Sequence, residues 1–502
     1  MIRAHALPPP SKPPEHAAIQ PAHQSHLKDA SLFSGTAEKI FFPNSDEEIA
    51  FLLKEAGRSK MPVTVSGAGT GLTGARVPQG GAVLSTERMN RILSIHWDGR
   101  STEGRAVVQP GVLLKDLERA LEEKSLFYPP NPGEKAASIG GTVATNASGS
   151  RSFKYGPTRR YVQRLKIILP NGELLECARG AARETNSCFK IGLSDGKTVE
   201  IPVPSYPMPS CKNAAGYFAA AGMDLIDLFI GAEGTLGVVT EIELAVLKKP
   251  AAVVSGILFF SDEKTCYPFC EGARRAPFDP RVLEFLDSRS LAFLAQKHTD
   301  IPSGAGAALY FEQECTREQT ESIRRSWASA ATNRGALSAD DWLSSDPKRQ
   351  NDFRTFRYNL PVLVNEQVQK NGFRKIATDL AVPPAQGKTM FEFYLATLGG
   401  CGIGYCLFGH LGENHLHANL LPKTEPEFAR SKEIYEALAR KAVSLGGTVS
   451  AEHGIGKLRI PYLEIMVGKA GLLQMARVKK ALDPDGILNR GNIVPAELLA
   501  MV

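Results

Sequence analysis

The sequence predicts an α+β protein made of two large domains and a C-terminal closing segment. Three observations carry that expectation. The chain has 502 residues, which at roughly 150 residues per domain asks for about three domains or two large ones. Up to about Lys248, short apolar and β-branched runs alternate with glycine-rich loops. Beyond that point the glycine loops give way to alternating strand and helix patterns.

Taken in order, residues 1 to about 27 read as a flexible tail, because proline stands where a secretion signal needs an apolar core. His5, His16, His23 and His26 are irregularly spaced there and are assigned no site. Ser45 three residues before Glu48 is a capping box, and Ile49, Leu52, Leu53 and Ala56 repeat at helical spacing, predicting a helix over 46–58. MPVTVS reads as a buried strand leading into GAGTGLTGARVPQGG. AVLST and RAVVQ are further strands, VLLKDLERALEEK is an amphipathic helix, and LKIILPNGELLEC is a hairpin turning at Pro170, Asn171 and Gly172. Proline-rich VEIPVPSYPMPS, 199–210, reads as a loop. AAVVSGILFF, VLEFLD and AALYFEQE are strands of a second domain, with a long helix from about 316. The expected domains are 28–249 and 250–445, closed by 446–502 with its turn-rich KKALDPDGILNRGNIV.

Composition narrows the function. A hydrophobic fraction of 43% with 22% charged residues describes a globular chain with ample core. The 59 basic and 53 acidic residues give a net charge of +6 without a long basic block, which argues against nucleic-acid binding. No run approaches the ~20 apolar residues of a membrane span, although a weakly basic surface admits docking on an anionic membrane or an acidic redox partner. The eight cysteines form no repeated CxxC framework, as expected of reduced thiols in a cytosolic protein without an iron–sulfur centre.

The chemistry concentrates in two short runs. FGHLGENHLHANLL holds His410, His415 and His417 in a chain with ten histidines in all, and TVSAEHGIGK adds Glu452 and His453. Imidazole with carboxylate is a zinc, iron or manganese donor set. The odd spacing of His410 and His417 sends them to opposite faces of a regular strand, whereas His415 and His417 share one; a turn over 409–414 removes the difficulty. Gly69, Gly71 and Gly74 fit G-x-G-x-x-G, but Pro78 and two further glycines follow where a dinucleotide-binding helix has to open. SIGGTVATNASG, 138–149, and GAEGTLGVVTEIELAV, 231–246, are two more glycine-rich runs, and together the three suggest a cofactor wrapped by backbone. A zinc hydrolase would use the same histidines and glutamate but leaves those runs unexplained.

SGAGTGLTGARVP, NPGEKAASIGGTVATNASGSRSFKYG, FIGAEGTLGVVTEI, FGHLGENHLHANL, AEHGIGK and LDPDGILNRGNIV resemble, in order, the motifs of the FAD-linked 2-hydroxy-acid dehydrogenases. That family includes D-lactate dehydrogenase, the glycolate oxidase flavoprotein subunit and D-2-hydroxyglutarate dehydrogenase, within the vanillyl-alcohol oxidase superfamily. The resemblance covers about residues 30 to 495. It implies a PCMH-type FAD-binding domain followed by an α/β substrate domain with an antiparallel sheet.

Carried over residue by residue, the resemblance places Gly67, Ala68, Gly69, Thr70 and Gly71 along the FAD pyrophosphate. Ile139, Gly140, Gly141, Thr142, Thr145 and Asn146 would line the flavin, with Glu233, Gly234 and Val239 completing the pocket. Thr70 stands near where some superfamily members carry a flavin-linked histidine, implying noncovalent FAD. His410, His417 and Glu452 become ligands of a divalent metal, zinc by expectation, and His415 a supporting or alternative ligand. His453 becomes the general base, while Arg357, Lys375 and Asn419 contact the substrate. Arg490 and Asn492 depart from the closing motif, where relatives often carry proline and lysine. The implied reaction is oxidation of a D-2-hydroxy acid, D-lactate first, with the alternative of a glycolate or D-2-hydroxyglutarate dehydrogenase flavoprotein subunit of a larger complex. Electrons would pass to a separate quinone, cytochrome or electron-transfer flavoprotein. A homodimer in the cytoplasm, at most peripheral at the inner face of the membrane, completes the expectation.

Overall fold

The computed structural model describes residues 2–338 and 340–502. Three sheets organise them. A four-stranded sheet runs His16–Ala18, Lys39–Phe41, Ala82–Ser85, Val63–Ser66, parallel except at its first pair. A nine-stranded sheet, mostly antiparallel, takes its strands from Ile2 to Lys248. An eight-stranded antiparallel sheet takes its strands from Ala252 to Leu420.

Local sequence explains most of the elements. The helix Asp46–Ser59 starts where Ser45 accepts the Glu48 N–H, and it buries Ile49, Leu52, Leu53 and Ala56. The strands Val162–Ile168 and Glu173–Ala178 form the hairpin, with Gly172 at φ 78° in its turn. After AALYFEQE the helix begins at Thr320, a few residues later than expected, because TREQ first forms a turn.

The N-terminal segment is not a free tail. Ile2–Ala6 is a strand that pairs antiparallel with Glu173–Ala178 and parallel with Cys188–Gly192, filling the gap between them. Pro21–Leu27 winds into a 3-10 helix, and Arg76 of the first glycine run holds the segment through the Lys28 carbonyl at 2.9 Å. Proline and polar residues hid this, since an inserted strand is held by backbone bonds that need few apolar side chains. VEIPVPSYPMPS also differs from expectation, because Thr198–Pro202 is an edge strand before the loop; an edge tolerates Pro202.

The C-terminal segment returns to the first half of the chain. Leu488 bridges Val63, and the buried Lys479 ammonium ties the Thr235 and Leu488 carbonyls to Asp483.

In the eight-stranded sheet, Arg281 Nη2 lies 2.6 Å from Glu312 Oε2. Burial alone would raise the Glu312 pKa, but Arg281, Arg151 and Arg354 hold it near about 2 against an ordinary 4.5. The folded value is depressed, so this contribution is complete above pH 4.5 and is lost as pH falls toward about 2. It is on the order of 3 kcal/mol. Thermal melts from pH 5 to pH 2 should show Glu312→Gln less stable at the upper end and less sensitive to acid across the window. Parallel curves for the two proteins would refute this coupling.

Candidate active site

FGHLGENHLHANLL folds into a hairpin that resolves the spacing problem. The first strand ends at His410, Leu411–Glu413 make one turn of 3-10 helix, Asn414 adopts φ 52°, and the return strand begins at His415. The register pairs His410 with His415 and Phe408 with His417. Antiparallel partners share a face, as do residues two apart, so His410, His415, His417 and Asn419 all project from one side. A potential ligand atom from each of His410, His415, His417 and Glu452 lies within 4.8 Å of the others.

Hydrogen bonds aim the rings. His410 Nδ1 is held by the Glu284 carboxylate, leaving Nε2 3.2 Å from Glu452 Oε1. His417 Nδ1 donates to the Thr378 carbonyl at 3.0 Å, leaving Nε2 3.8 Å from Glu452 Oε2. Acceptors on Nδ1 fix the tautomer whose Nε2 lone pair can bind a metal. His410, His417 and Glu452 therefore fit a divalent cation. His415 stands behind them, fully buried, with neither ring nitrogen in a hydrogen bond, although Nε2 is 3.0 Å from Asp379 Oδ1.

Burial would raise the Glu452 pKa, but His410 and Lys212 hold it well below the carboxylate range. Burial would lower His410, yet Glu284 and Glu452 lift it to about 9, so a metal there has to displace a proton. Burial pushes His417 well below 6.5 and His453 down to about 4, so both are neutral at pH 7. His453 Nδ1 is 3.4 Å from Asp379 Oδ2 and 3.3 Å from Arg459 Nη2.

Several residues here were not singled out in the sequence. Lys212 Nζ is buried 2.5 Å from Glu452 Oε1 and 2.9 Å from Glu413 Oε2, and Ser148 Oγ donates to Glu452 at 3.3 Å. Asp379 accepts from the backbone N–H groups of Glu452 and His453. Glu284 and Asp379 carry a signal in retrospect, since each is an acid inside an otherwise apolar or β-branched run, VLEFLD and IATDLAV.

The histidine face opens into a cavity of about 1630 Å³, beyond the roughly 300–1,000 Å³ that suits one drug-sized ligand. Gly67, Ala68, Gly69, Thr70 and Gly71 form one wall; Gly140, Gly141, Thr142 and Thr145 form a second; Glu233, Gly234 and Val239 belong to a third. Close approach requires glycine at the first wall: a Cβ on Gly67 would lie 2.6 Å from Ser138 Oγ, and Gly69 has φ 82° with the Arg76 guanidinium against it. The second run is a short helix, Ile139–Ala144, rather than an open loop, because Ser138 Oγ accepts the Gly141 N–H. That corrects two lining residues. Ile139 turns into the core, and Asn146 points to the Arg159 N–H at 2.9 Å and the Asn213 carbonyl, away from the cavity. Glu233 also has a structural task, because its carboxylate accepts the Ile455 and Gly456 N–H groups at 2.6 and 2.7 Å and so fixes the EHGIG loop.

Arg357, Lys375 and Asn419 line the same cavity. Arg357 Nε bonds Glu284 Oε2 at 2.8 Å, Lys375 Nζ lies 3.1 Å from Asn365, and Asn419 Nδ2 lies 3.4 Å from the His417 carbonyl. Arg490 and Asn492 bond backbone, at the Gly486 and Ala75 carbonyls, and are absent from the cavity wall.

Two family models match in succession, an FAD binding domain over residues 37–178 and the C-terminal domain of FAD linked oxidases over 249–493. The chain is 31% identical over 485 residues to a D-lactate dehydrogenase of Anaerostipes hadrus, covering 93% of this chain and 92% of that protein. The chain belongs to the FAD-linked oxidases. This FAD-linked oxidase is also 29% identical over 473 residues to glycolate oxidase subunit GlcD of Bacillus subtilis, covering 92% of this chain and 90% of the relative. With D-2-hydroxyglutarate dehydrogenase of Stutzerimonas stutzeri it shares 28% over 475 residues, 92% of each chain. Among solved structures, an alkyldihydroxyacetonephosphate synthase superposes with a TM-score of 0.66 at 18% identity, covering 97% of this chain and 88% of that one, a likeness of fold. The FAD-linked oxidase is thus an oxidoreductase with a PCMH-type FAD-binding domain, a match that a hydrolase reading does not predict. Among the described residues no helix is long and apolar enough to cross a membrane.

Proposed function

We propose that this FAD-linked oxidase is a metal-dependent dehydrogenase of D-2-hydroxy acids, taking hydride from Cα and leaving the 2-oxo acid. The observation that carries the reading is the convergence of His410, His417, Glu452 and Arg357 on the cavity that the three glycine-rich runs enclose. Bound FAD supplies the hydride acceptor at flavin N5. A divalent cation held by His410, His417 and Glu452, zinc by donor chemistry, supplies Lewis acidity that stabilises a developing alkoxide.

The chain's own residues do the rest. Arg357, kept in place by Glu284, offers guanidinium N–H groups to the substrate carboxylate, with Lys375 and Asn419 as further donors. His453 is neutral at pH 7 and lines the cavity; for Nε2 to take the hydroxyl proton, its ring proton has to sit on Nδ1 facing Asp379 Oδ2, 3.4 Å away, in place of the Arg459 contact that Nδ1 now accepts. Electrons leave through a separate quinone, cytochrome or flavoprotein acceptor. D-lactate is the simplest substrate of the class, and the Anaerostipes relative supports it.

Anaerobic titration of the metal-replete protein with D-lactate, L-lactate, glycolate and D-2-hydroxyglutarate, followed at the flavin band near ~450 nm, tests the reading. Bleaching by a D-acid and not by L-lactate is expected. A flavin that no hydroxy acid bleaches would sink it.

A further inference from the structure

D-lactate would leave one part of the cavity without a partner. Beside the metal-ligand cluster, Arg151, Arg281 and Arg354 gather around Glu312, all four lining the same cavity. Glu312 is fully engaged: Oε2 takes Arg281 Nε at 2.7 Å, while Oε1 takes Arg354 Nε at 3.2 Å and the Tyr310 hydroxyl at 2.5 Å. Arg281 spends its remaining reach on Glu314 at 3.1 Å. Three guanidiniums thus meet two carboxylates, and Arg151 is the one left over. Its Nε is buried without a hydrogen-bond partner, the nearest carboxylate oxygen is 4.0 Å away, and its side chain is 19% exposed. Among the described residues its guanidinium makes no hydrogen bond. A half-buried guanidinium on the cavity wall, with its Nε buried and unpartnered and no carboxylate within hydrogen-bond distance, is poised for an anion.

Two rulers relate Arg151 to the reacting end of the cavity. Ser148, which bonds the Glu452 carboxylate, precedes it by three residues, at most about 10 Å of chain. The sheet register pairs Glu284 with Tyr310 and Val282 with Glu312. Glu284, the partner of His410 and Arg357, and Glu312 are therefore diagonal neighbours on one face, about 7–8 Å apart. A four- or five-carbon acid spans a gap of that order, whereas lactate, with three carbons, ends in a methyl group.

We propose that Arg151, supported by Arg354, forms an anion subsite for the far end of the substrate, so that the preferred acid carries a second anionic terminus, a carboxylate or a phosphate monoester. This rests on the hydroxy-acid reading above and names the substrate within it. Two lysines of the cavity wall are already paired, Lys135 with Glu118 at 2.6 Å and Lys249 with Glu122, while Arg317 is a further cation on the wall.

The test compares matched pairs on the holoenzyme: D-2-hydroxyglutarate against D-2-hydroxyvalerate, and D-glycerate 3-phosphate against D-glycerate. In the wild type, kcat/KM should favour the charged terminus in at least one pair by about 10- to 100-fold, the worth of one charged hydrogen-bonded contact. The pair with the larger ratio identifies the anion. Arg151→Gln should bring that ratio close to one, and Arg151→Lys should restore part of it. Glutarate against valerate, read as a shift of the flavin spectrum without turnover, separates this subsite from the reaction: tighter binding of glutarate, lost in Arg151→Gln, supports the subsite even if no hydroxy acid bleaches the flavin. A wild type that prefers the neutral acids, a ratio unchanged in Arg151→Gln, or loss of bound flavin in that variant would each overturn the proposal.

Discussion

Replacing His410 with alanine is expected to leave FAD bound, strip the divalent cation, and slow flavin reduction by the acid about 10³-fold, since a metal contributes several kcal/mol to stabilising an alkoxide. The flavin walls come from other segments, so the two losses are separable. Elemental analysis and anaerobic stopped-flow reduction check the two halves. Glu284→Gln is the informative companion. It keeps every candidate ligand atom but removes the carboxylate from His410 Nδ1. Acceptors in that position are worth about 10- to 100-fold in metal affinity, so excess metal should rescue this variant and not His410→Ala. Because Glu284 also holds Arg357 at 2.8 Å, Glu284→Gln should raise KM even when metal is saturating. Retention of both the ion and the rate in His410→Ala would remove the metal from the mechanism.

The sequence carried the strands and the clustering of histidines, because both depend on local pattern. Val63–Ser66, Ala252–Phe260 and Pro280–Asp287 are apolar runs whose burial alone calls for strands. The odd spacing of His410 and His417 was also readable once Gly409 to Asn414 was granted a turn. What stayed hidden depends on contacts between distant segments. Asp379 meets Arg459 eighty residues away, and Glu233 meets Gly456 over 223 residues. No periodicity reports such a contact. The N-terminal strand was hidden for a related reason: its register is set by the strands on either side, with little help from its own apolar content. Ile139 was placed on the cavity because a glycine-rich run was read as loop, whereas Ser138 caps a helix there and its buried face takes Ile139, Thr142 and Val143 at helical spacing.

The second large effect is expected at Asp379, which organises the loop carrying both Glu452 and His453. It is fully buried, and its Oδ2 accepts Arg459 Nη1 at 2.6 Å, Ser450 Oγ at 2.8 Å and the His453 N–H at 2.9 Å. Asp379→Ala strands the Arg459 guanidinium in the interior, which costs about 3–5 kcal/mol. A lower melting temperature and faster proteolysis near the EHGIG loop should follow, along with loss of activity. Asp379→Asn keeps the shape and is expected to fold. It weakens the carboxylate's hold on His453 Nδ1, so kcat should fall by about 10²- to 10⁴-fold, the usual worth of a general base, while flavin and metal contents stay near wild type. If His453 and Asp379 act as one unit, His453→Ala and the double variant with Asp379→Asn should be equally slow, because groups that work together lose their effect together. Additive losses would show instead that Asp379 acts independently of His453, through the Glu452 backbone it holds.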